Sequence, residues 1–157
     1  MYENSFTFTR MLAAYSKPHK FDGRSTRTEL LGYLIISGLV GTAMNWVIMA
    51  AGMAGSIDVG ITSFRIAYFI VWLPFPALAV RRFHDQNKPG WWALLLVLPT
   101  VAFWLGLKEA LNTPARFVFD AIYLGALVLL FWKPTDGANR YGPDPRLDPE
   151  DTALVPE

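Results

Sequence analysis

Cysteine is absent from this chain, and charged residues are scarce. The 157 residues include no cysteine and only 17% charged side chains, below the roughly 25% that is usual in soluble domains. The lack of cysteine excludes disulfides, thiolate metal sites and thiol catalysis. The low charge excludes an ordinary soluble globule, whose surface is about 25–35% charged. With 53% hydrophobic side chains, the composition predicts one membrane domain.

Four apolar segments follow one another along the chain. Residues 30–55 carry no charge, and roughly 20 apolar residues are enough to cross about 30 Å of hydrocarbon. Further spans are predicted at 61–80, 91–107 and 117–132. Pro74 and Pro76 predict a kink in the second span, and Trp91 and Trp92 are placed as interface anchors of the third. The fold class is therefore an all-α integral membrane protein with a four-helix transmembrane bundle.

The positive charges predict the orientation of these spans. Short loops rich in lysine and arginine stay in the cytoplasm, and eleven of the 14 lysines and arginines fall before the first span, between the second and third, or after the fourth. The opposite loops hold Arg65, Lys108 and Arg116. We expect a multi-pass protein with both termini in the cytoplasm.

The two ends of the chain have different patterns. Phe8, Met11, Leu12 and Tyr15 recur at three- and four-residue spacing, which predicts an N-terminal amphipathic helix lying at the membrane interface and stopped by Pro18. Residues 146–157 are rich in proline and acidic residues, which predicts a disordered acidic tail. The single membrane domain is accordingly expected to cover residues 1–145.

Three polar segments, 21–29, 81–85 and 139–145, should meet as a cap on the cytoplasmic face. Their arginines carry planar guanidinium groups suited to phosphate or carboxylate. The candidate residues for binding a ligand or a lipid head group are Arg24, Arg27, Arg81, Arg82, His84, Asp85, Asn139 and Arg140.

These segments carry a resemblance to a known family. The chain has a GRxxRxE-like element at Gly23–Glu29, RRxHD at Arg81–Asp85, GWW at Gly90–Trp92 and GxNRYGPDP at Gly137–Pro145. In this order they resemble bacterial domain-of-unknown-function family 805, small inner-membrane proteins of the YhaH type. The resemblance covers roughly residues 6 to 145. It implies a multi-span protein of the bacterial inner membrane without an established biochemical activity.

Three interpretations of the arginines remain open. They could be topological charges that touch anionic lipid, they could form a defined anion site, or they could join Asp22, Glu29 and Asp85 in an internal network of salt bridges and hydrogen bonds. His84 beside Asp85 could also support acid–base chemistry, with His19 and Asp22 completing a metal site. Two histidines without the helical spacing of zinc motifs are weak support, so no metal, cofactor or catalytic residue is predicted.

The first span carries a further pattern. Ser37, Gly41 and Asn45 recur every four residues, a spacing that lets helices approach closely, either inside one bundle or between subunits.

The sequence favours a non-enzymatic protein whose cap binds anionic head groups or a phosphorylated ligand and supports assembly. The alternatives are an oligomeric channel or membrane effector gated from the cytoplasm and, third, an interfacial membrane enzyme. The expected partners are membrane lipids, with a homo-oligomer left open and no nucleic acid expected.

Overall fold

The computed structural model describes residues 11–105, 107 and 111–146. Within these ranges the regular structure is helical, and the β-pairing is an isolated bridge between Asn139 and Gly142, which confirms the all-α prediction for this part of the chain. The helices are α1 (Ala13–Ser16), α2 (Arg27–Met53), α3 (Ile57–Trp72), α4 (Phe75–Asp85), a 3₁₀ turn (Gly90–Ala93), α5 (Leu94–Trp104) and α6 (Thr113–Leu130).

Three described helices are long and apolar enough to cross a membrane. These candidate spans are Arg27–Met53, Ile57–Asp85 and Thr113–Leu130, and they correspond to the first, second and fourth predicted spans. The third predicted span is represented by a shorter apolar stretch, Gly90–Ala102, with Pro99 inside α5. The helix lengths therefore establish three candidate spans in the described part of the chain, and the four-helix transmembrane bundle stays a prediction.

The chain divides into two units. Among the described residues, one unit, which we call the cap unit, contains Phe21–Arg27 and the residues from Ala79 onward; the other, the hairpin unit, contains residues 11–20 and Thr28–Leu78.

In the hairpin unit, α2 and α3 are joined by a tight turn at Gly55, whose φ of 72° suits glycine. Close packing follows at Gly60, where a Cβ atom would lie only 2.9 Å from Ala51 Cβ and 3.0 Å from Ile48 Cα. The chain then leaves regular helix between Trp72 and Phe75, where Pro74 lacks the backbone N–H that a continuous helix needs. This break lies where the sequence predicted a kink.

The described part of the N-terminal segment packs against α2. Tyr15 stacks on Tyr33 with ring centroids 5.9 Å apart, and Tyr33 stacks on Phe75 at 5.4 Å. Gly32 lies directly against Met11, because a Cβ atom there would overlap the Met11 backbone. Residues 1–10, including Phe8 of the predicted amphipathic face, lie outside the described residues, and so do residues 147–157 of the predicted tail.

In the cap unit, α5 packs against α6. Helix α6 begins with a standard cap, since the Asn112 side chain accepts a hydrogen bond of 3.0 Å from Ala115 N. Pro114 occupies its first turn, where the missing N–H carries little cost. Leu130 ends the helix and is fully buried, and this end lies beside the candidate site.

Candidate functional site

The three predicted polar segments contact one another, and all of their candidate residues lie in the cap unit. The backbone N–H of Ser25 donates to Arg81 O at 3.2 Å, which joins the first segment to the end of α4. Asn139 Nδ2 donates to His84 O at 3.0 Å, which joins the C-terminal segment to the same helix end. The sequence therefore identified segments that the fold assembles in one place.

Asp85 lies at the centre of this cluster and is 2% exposed. Arg24 Nε donates to Asp85 Oδ1 at 2.9 Å, and Arg82 donates through a terminal guanidinium nitrogen to Asp85 Oδ2. Both arginine side chains are almost completely shielded from solvent. A buried carboxylate is costly unless it is paired and hydrogen-bonded, and here each of its oxygens accepts from a different arginine.

The remaining donors of Arg24 and Arg82 bond backbone carbonyls. Arg24 reaches Gly137 O at 2.5 Å and Thr135 O at 2.8 Å. Arg82 Nε donates to Leu130 O at 2.6 Å, and a terminal nitrogen donates to Trp132 O at 2.8 Å. Gln86 adds a hydrogen bond of 2.7 Å to Leu129 O.

These contacts cap the C-terminal end of α6. The last carbonyls of a helix have no partner inside it, and the helix dipole places partial negative charge at that end. Arg82 and Gln86 satisfy carbonyls there, and Arg82 also brings a positive charge. The RRxHD segment therefore holds the end of α6. The groups that it bonds there are backbone carbonyls, which no sequence motif specifies.

Helix α4 is capped in turn. Asn87 has a left-handed φ of 57°, Asn87 N donates to His84 O, and Lys88 N donates to Phe83 O at 2.9 Å. This pairing is a Schellman motif with asparagine at the left-handed position. Asn139 adds a side-chain bond of 3.0 Å to His84 O.

His84 is held by contacts on several sides. Its ring stacks on Tyr141 with centroids 3.7 Å apart and an interplanar angle of 5°. Nδ1 lies 3.2 Å from Gly23 O, and a Cβ atom built on Gly90 would lie 3.0 Å from Nε2. The imidazole is therefore enclosed by contacts from the first segment, from Gly90 and from the C-terminal segment.

The C-terminal segment contains an ion pair that the sequence analysis did not single out. Asp144 is buried and accepts from Arg146 Nε at 2.8 Å and from Gly137 N at 3.2 Å. Burial raises the pKa of Asp144, but the hydrogen bonds and charge of Arg146 outweigh it, so the pKa lies below its usual value. Arg146 also donates to Thr135 O at 3.0 Å, the carbonyl that accepts from Arg24. The sequence feature that could have indicated this pair is an acid and a base two residues apart, at Asp144 and Arg146.

The remaining predicted arginines have other surroundings. Arg27 and Arg140 are exposed; Arg140 donates to Asn87 O at 3.1 Å and lies 4.7 Å above the Tyr141 ring. Arg81 is 3% exposed, and its backbone carbonyl accepts from Ser25.

The chemistry of the site is therefore that of a positively charged, hydrogen-bonded clamp. Asp85 is shared by two arginines. In the part of the chain that the structure describes, no group of three histidine or acidic residues is placed to hold a metal ion.

Comparison with known proteins identifies relatives of this chain. The family model described as "Protein of unknown function (DUF805)" matches residues 18–143. Inner membrane protein YhaI of Escherichia coli strain K12 is 31% identical over 127 residues, which cover 80% of this chain and 86% of the relative. Inner membrane protein YhaH of the same strain is 27% identical over 139 residues, with 82% and 89% covered. No solved structure matches. With inner-membrane relatives and a family model covering most of its length, the chain belongs to the DUF805 family of proteins of unknown function.

Proposed function

We propose that this protein is a multi-span, non-enzymatic protein of the bacterial inner membrane whose cytoplasmic cap presents exposed arginines to anionic lipid head groups. The observation that carries the proposal is the buried clamp in which Arg24 and Arg82 share Asp85. The clamp holds three chain segments together, and Arg27 and Arg140 lie exposed in the same unit.

The candidate arginines differ in whether their guanidinium groups are already bonded inside the clamp. Arg24 and Arg82 use their guanidinium groups on Asp85 and on backbone carbonyls, so they serve assembly better than they serve a ligand. Arg27 and Arg140 have access to solvent, and a cationic side chain near an anionic membrane surface contributes about 1 kcal/mol to binding. Head-group binding is therefore assigned to Arg27 and Arg140, with the clamp as their support.

The contacts of the cap unit also favour four crossings. Gln86 follows α4 and bonds Leu129 at the end of α6, so these two helix ends lie on the same side of the membrane. The chain between them must then cross an even number of times. If α6 crosses, the shorter apolar stretch Gly90–Ala102 must also cross. This inference supports the four-span bundle, and the arginine and lysine distribution favours a cytoplasmic position for both termini.

Two further parts of the proposal complete this arrangement. The described end of the N-terminal segment, Ala13–Ser16, is helical, which supports an amphipathic helix along the interface. The membrane domain includes Arg146, whose guanidinium bonds Asp144 and Thr135 O, and the residues after it are rich in proline and acid.

Lipid binding can be measured on the purified protein in a neutral detergent. Phosphatidylglycerol should raise the melting temperature more than phosphatidylcholine does, because a ligand that binds the folded state stabilises it. The double variant Arg27→Gln/Arg140→Gln should lose most of this difference. The matched control is Arg65→Gln, which removes an exposed arginine from α3 and should retain it.

Two results would contradict head-group binding: equal shifts with both lipids, or an unchanged phosphatidylglycerol effect in the double variant. Stabilisation by inorganic phosphate in place of lipid would assign the arginines to a phosphorylated soluble ligand and would likewise overturn the proposal.

The topology can be measured separately, because the chain has no native cysteine. Single cysteines at the exposed positions Lys20 and Ala138 should react with an impermeant thiol reagent only from the cytoplasmic side. Cysteines at Ser56 and Thr113, also exposed, should react from outside. Labelling of Thr113→Cys from the cytoplasm would refute the four-crossing arrangement without affecting the lipid assay.

A further inference from the structure

Two cations of the cap unit lie over aromatic rings beside the turn that follows α4. The guanidinium carbon of Arg140 is 4.7 Å from the centroid of the Tyr141 ring. Lys88 Nζ is 5.3 Å from the centroid of the Trp92 ring. Both distances are within the roughly 6 Å over which an aromatic face attracts a cation. Arg140 also donates to Asn87 O at 3.1 Å, and Lys88 is the next residue of the chain, so the two cations belong to one turn.

Each of these two rings packs against a ring at the end of α4. Tyr141 stacks on His84 with centroids 3.7 Å apart and an interplanar angle of 5°. Trp92 lies against Phe83 with centroids 6.2 Å apart. Phe83 and His84 are consecutive and buried, so one helix end fixes both rings. A cation held over a fixed ring has less side-chain freedom to lose when a ligand binds, which lowers the cost of binding.

Both cations keep hydrogen-bond donors for a ligand. An arginine has five N–H donors, and the described contacts of Arg140 use one of them, on Asn87 O. An ammonium group has three, of which Lys88 uses one on Gln86 Oε1 at 3.0 Å. Arg140 and Asn87 are exposed and Lys88 is half-buried. The remaining donors suit a phosphate, which accepts strong hydrogen bonds from guanidinium and ammonium groups.

The position of this turn in the chain indicates the source of the phosphate. Residues 86–89 join the candidate span Ile57–Asp85 to the apolar stretch Gly90–Ala102. Four residues extend at most about 14 Å, so the turn stays at the level of the lipid head groups. Trp91 follows directly and is 60% exposed, and tryptophan is enriched at that level of a membrane. A phosphate at this depth belongs to a lipid.

We propose that Arg140 and Lys88 together bind the phosphate group of an anionic phospholipid at the Asn87 turn. The inference rests on the proposed function, in which Arg140 binds head groups, and it adds Lys88 as the second cation on the same phosphate. Tyr141 and Trp92 are positioning residues, because they act by holding the two cations in place.

Binding of dioctanoyl phosphatidylglycerol to the full-length protein in a neutral detergent measures this site. Lys88→Gln should weaken the binding several-fold, because one of the two cations on the phosphate is lost. Lys133→Gln is the matched control, since Lys133 lies in the same unit, is 74% exposed and pairs with Asp136. It removes the same charge and should leave the affinity unchanged.

A second pair of variants tests the positioning role of the Tyr141 ring. Tyr141→Leu should weaken lipid binding several-fold, because Arg140 loses the ring that holds it. Tyr141→Phe keeps the ring and should restore the affinity of the wild type. Tyr141→Leu also removes the stack on His84, so its melting temperature without lipid is measured as well. The Lys88→Gln variant keeps that stack and tests the site independently of any loss of folding.

The outcomes separate this site from the proposed function. Equal affinities of Lys88→Gln and Lys133→Gln, or equal affinities of the folded Leu and Phe variants at Tyr141, would overturn the site and leave head-group binding by Arg140 intact. Unchanged binding by Arg140→Gln would refute the proposed function and this site with it. Glycerol 3-phosphate offers a phosphate without acyl chains. Displacement of the lipid by an equal concentration of it would assign the cations to a soluble phosphate and overturn the lipid site.

Discussion

The buried and exposed arginines of the cap unit differ in what they contact. Arg24 and Arg82 are buried and donate to Asp85 and to carbonyls from separate parts of the chain. Arg140 is exposed and contacts Asn87 O and the face of Tyr141. A buried arginine that loses its acid keeps its desolvation cost, whereas an exposed one is rehydrated. The same residue type should therefore affect folding in the first position and binding in the second.

The largest expected effect comes from removing the shared acid. Asp85→Asn leaves two buried guanidinium groups without their carboxylate, and breaking a buried pair typically costs about 3–5 kcal/mol. Asp136→Asn is the control, because its ion pair with Lys133 spans 3.3 Å between side chains that are 74% and 72% exposed. Its loss should be below about 1 kcal/mol. Equal unfolding free energies of the two variants in detergent would contradict the prediction, because the buried clamp and the exposed ion pair would then contribute equally to stability.

The second prediction concerns the packing around His84. Gly90→Ala places a Cβ atom 2.8 Å from Val80 Cγ1 and 3.0 Å from His84 Nε2, and overpacking of this kind typically costs about 1–3 kcal/mol. Gly125→Ala is the matched control in open space, where alanine favours the helix by roughly 1 kcal/mol. The two substitutions should move the melting temperature in opposite directions. A stabilising Gly90→Ala would show that His84 lies in a loose part of the cap.

The third prediction tests whether Arg82 and Asp85 act as one contact. Arg82→Gln should destabilise the protein, and the double variant Arg82→Gln/Asp85→Asn should lose less than the sum of the single losses. Residues in one network typically show coupling of about 0.5–3 kcal/mol. The cycle should be measured by unfolding at low and high salt, because a buried pair is screened much less than an exposed one. Strictly additive losses would reduce the cap to independent charges that retain the loops in the cytoplasm.

The sequence predicted the helices better than the contacts between them. The charge-free run at 30–55 corresponds closely to α2 at Arg27–Met53, because hydrophobic length is a property of consecutive residues. The polar segments could be predicted from their residue types. The acceptors of Arg82 could not, since the carbonyls of Leu130 and Trp132 have no side-chain signature.

The C-terminal ion pair is a second contact that the sequence did not predict. The residues around Arg146 are rich in proline and acid, which predicts the start of a disordered tail there. In the fold its guanidinium bonds Asp144 and Thr135 O. Composition describes the average behaviour of a segment, and a contact with a distant carbonyl depends on the path of the chain.

The smallest expected effect is the pH dependence of the C-terminal ion pair, which joins the buried Asp144 to the partly exposed Arg146. Arg146 holds the pKa of Asp144 below its usual value despite the opposing effect of burial. A carboxyl whose pKa is lower in the folded state stabilises that state above its unfolded pKa, and the contribution is lost as the pH falls through the folded value. Because Arg146 is 28% exposed, solvent screening should keep the contribution to about 1 kcal/mol or less.

Unfolding of the wild type should therefore become easier on acidification through this range, and Asp144→Asn should be less stable at neutral pH and show a shallower decline. Parallel pH profiles for wild type and Asp144→Asn would show that the Arg146 pair makes no net contribution to stability. The stability of the cap would then depend on the Asp85 clamp and not on the C-terminal ion pair.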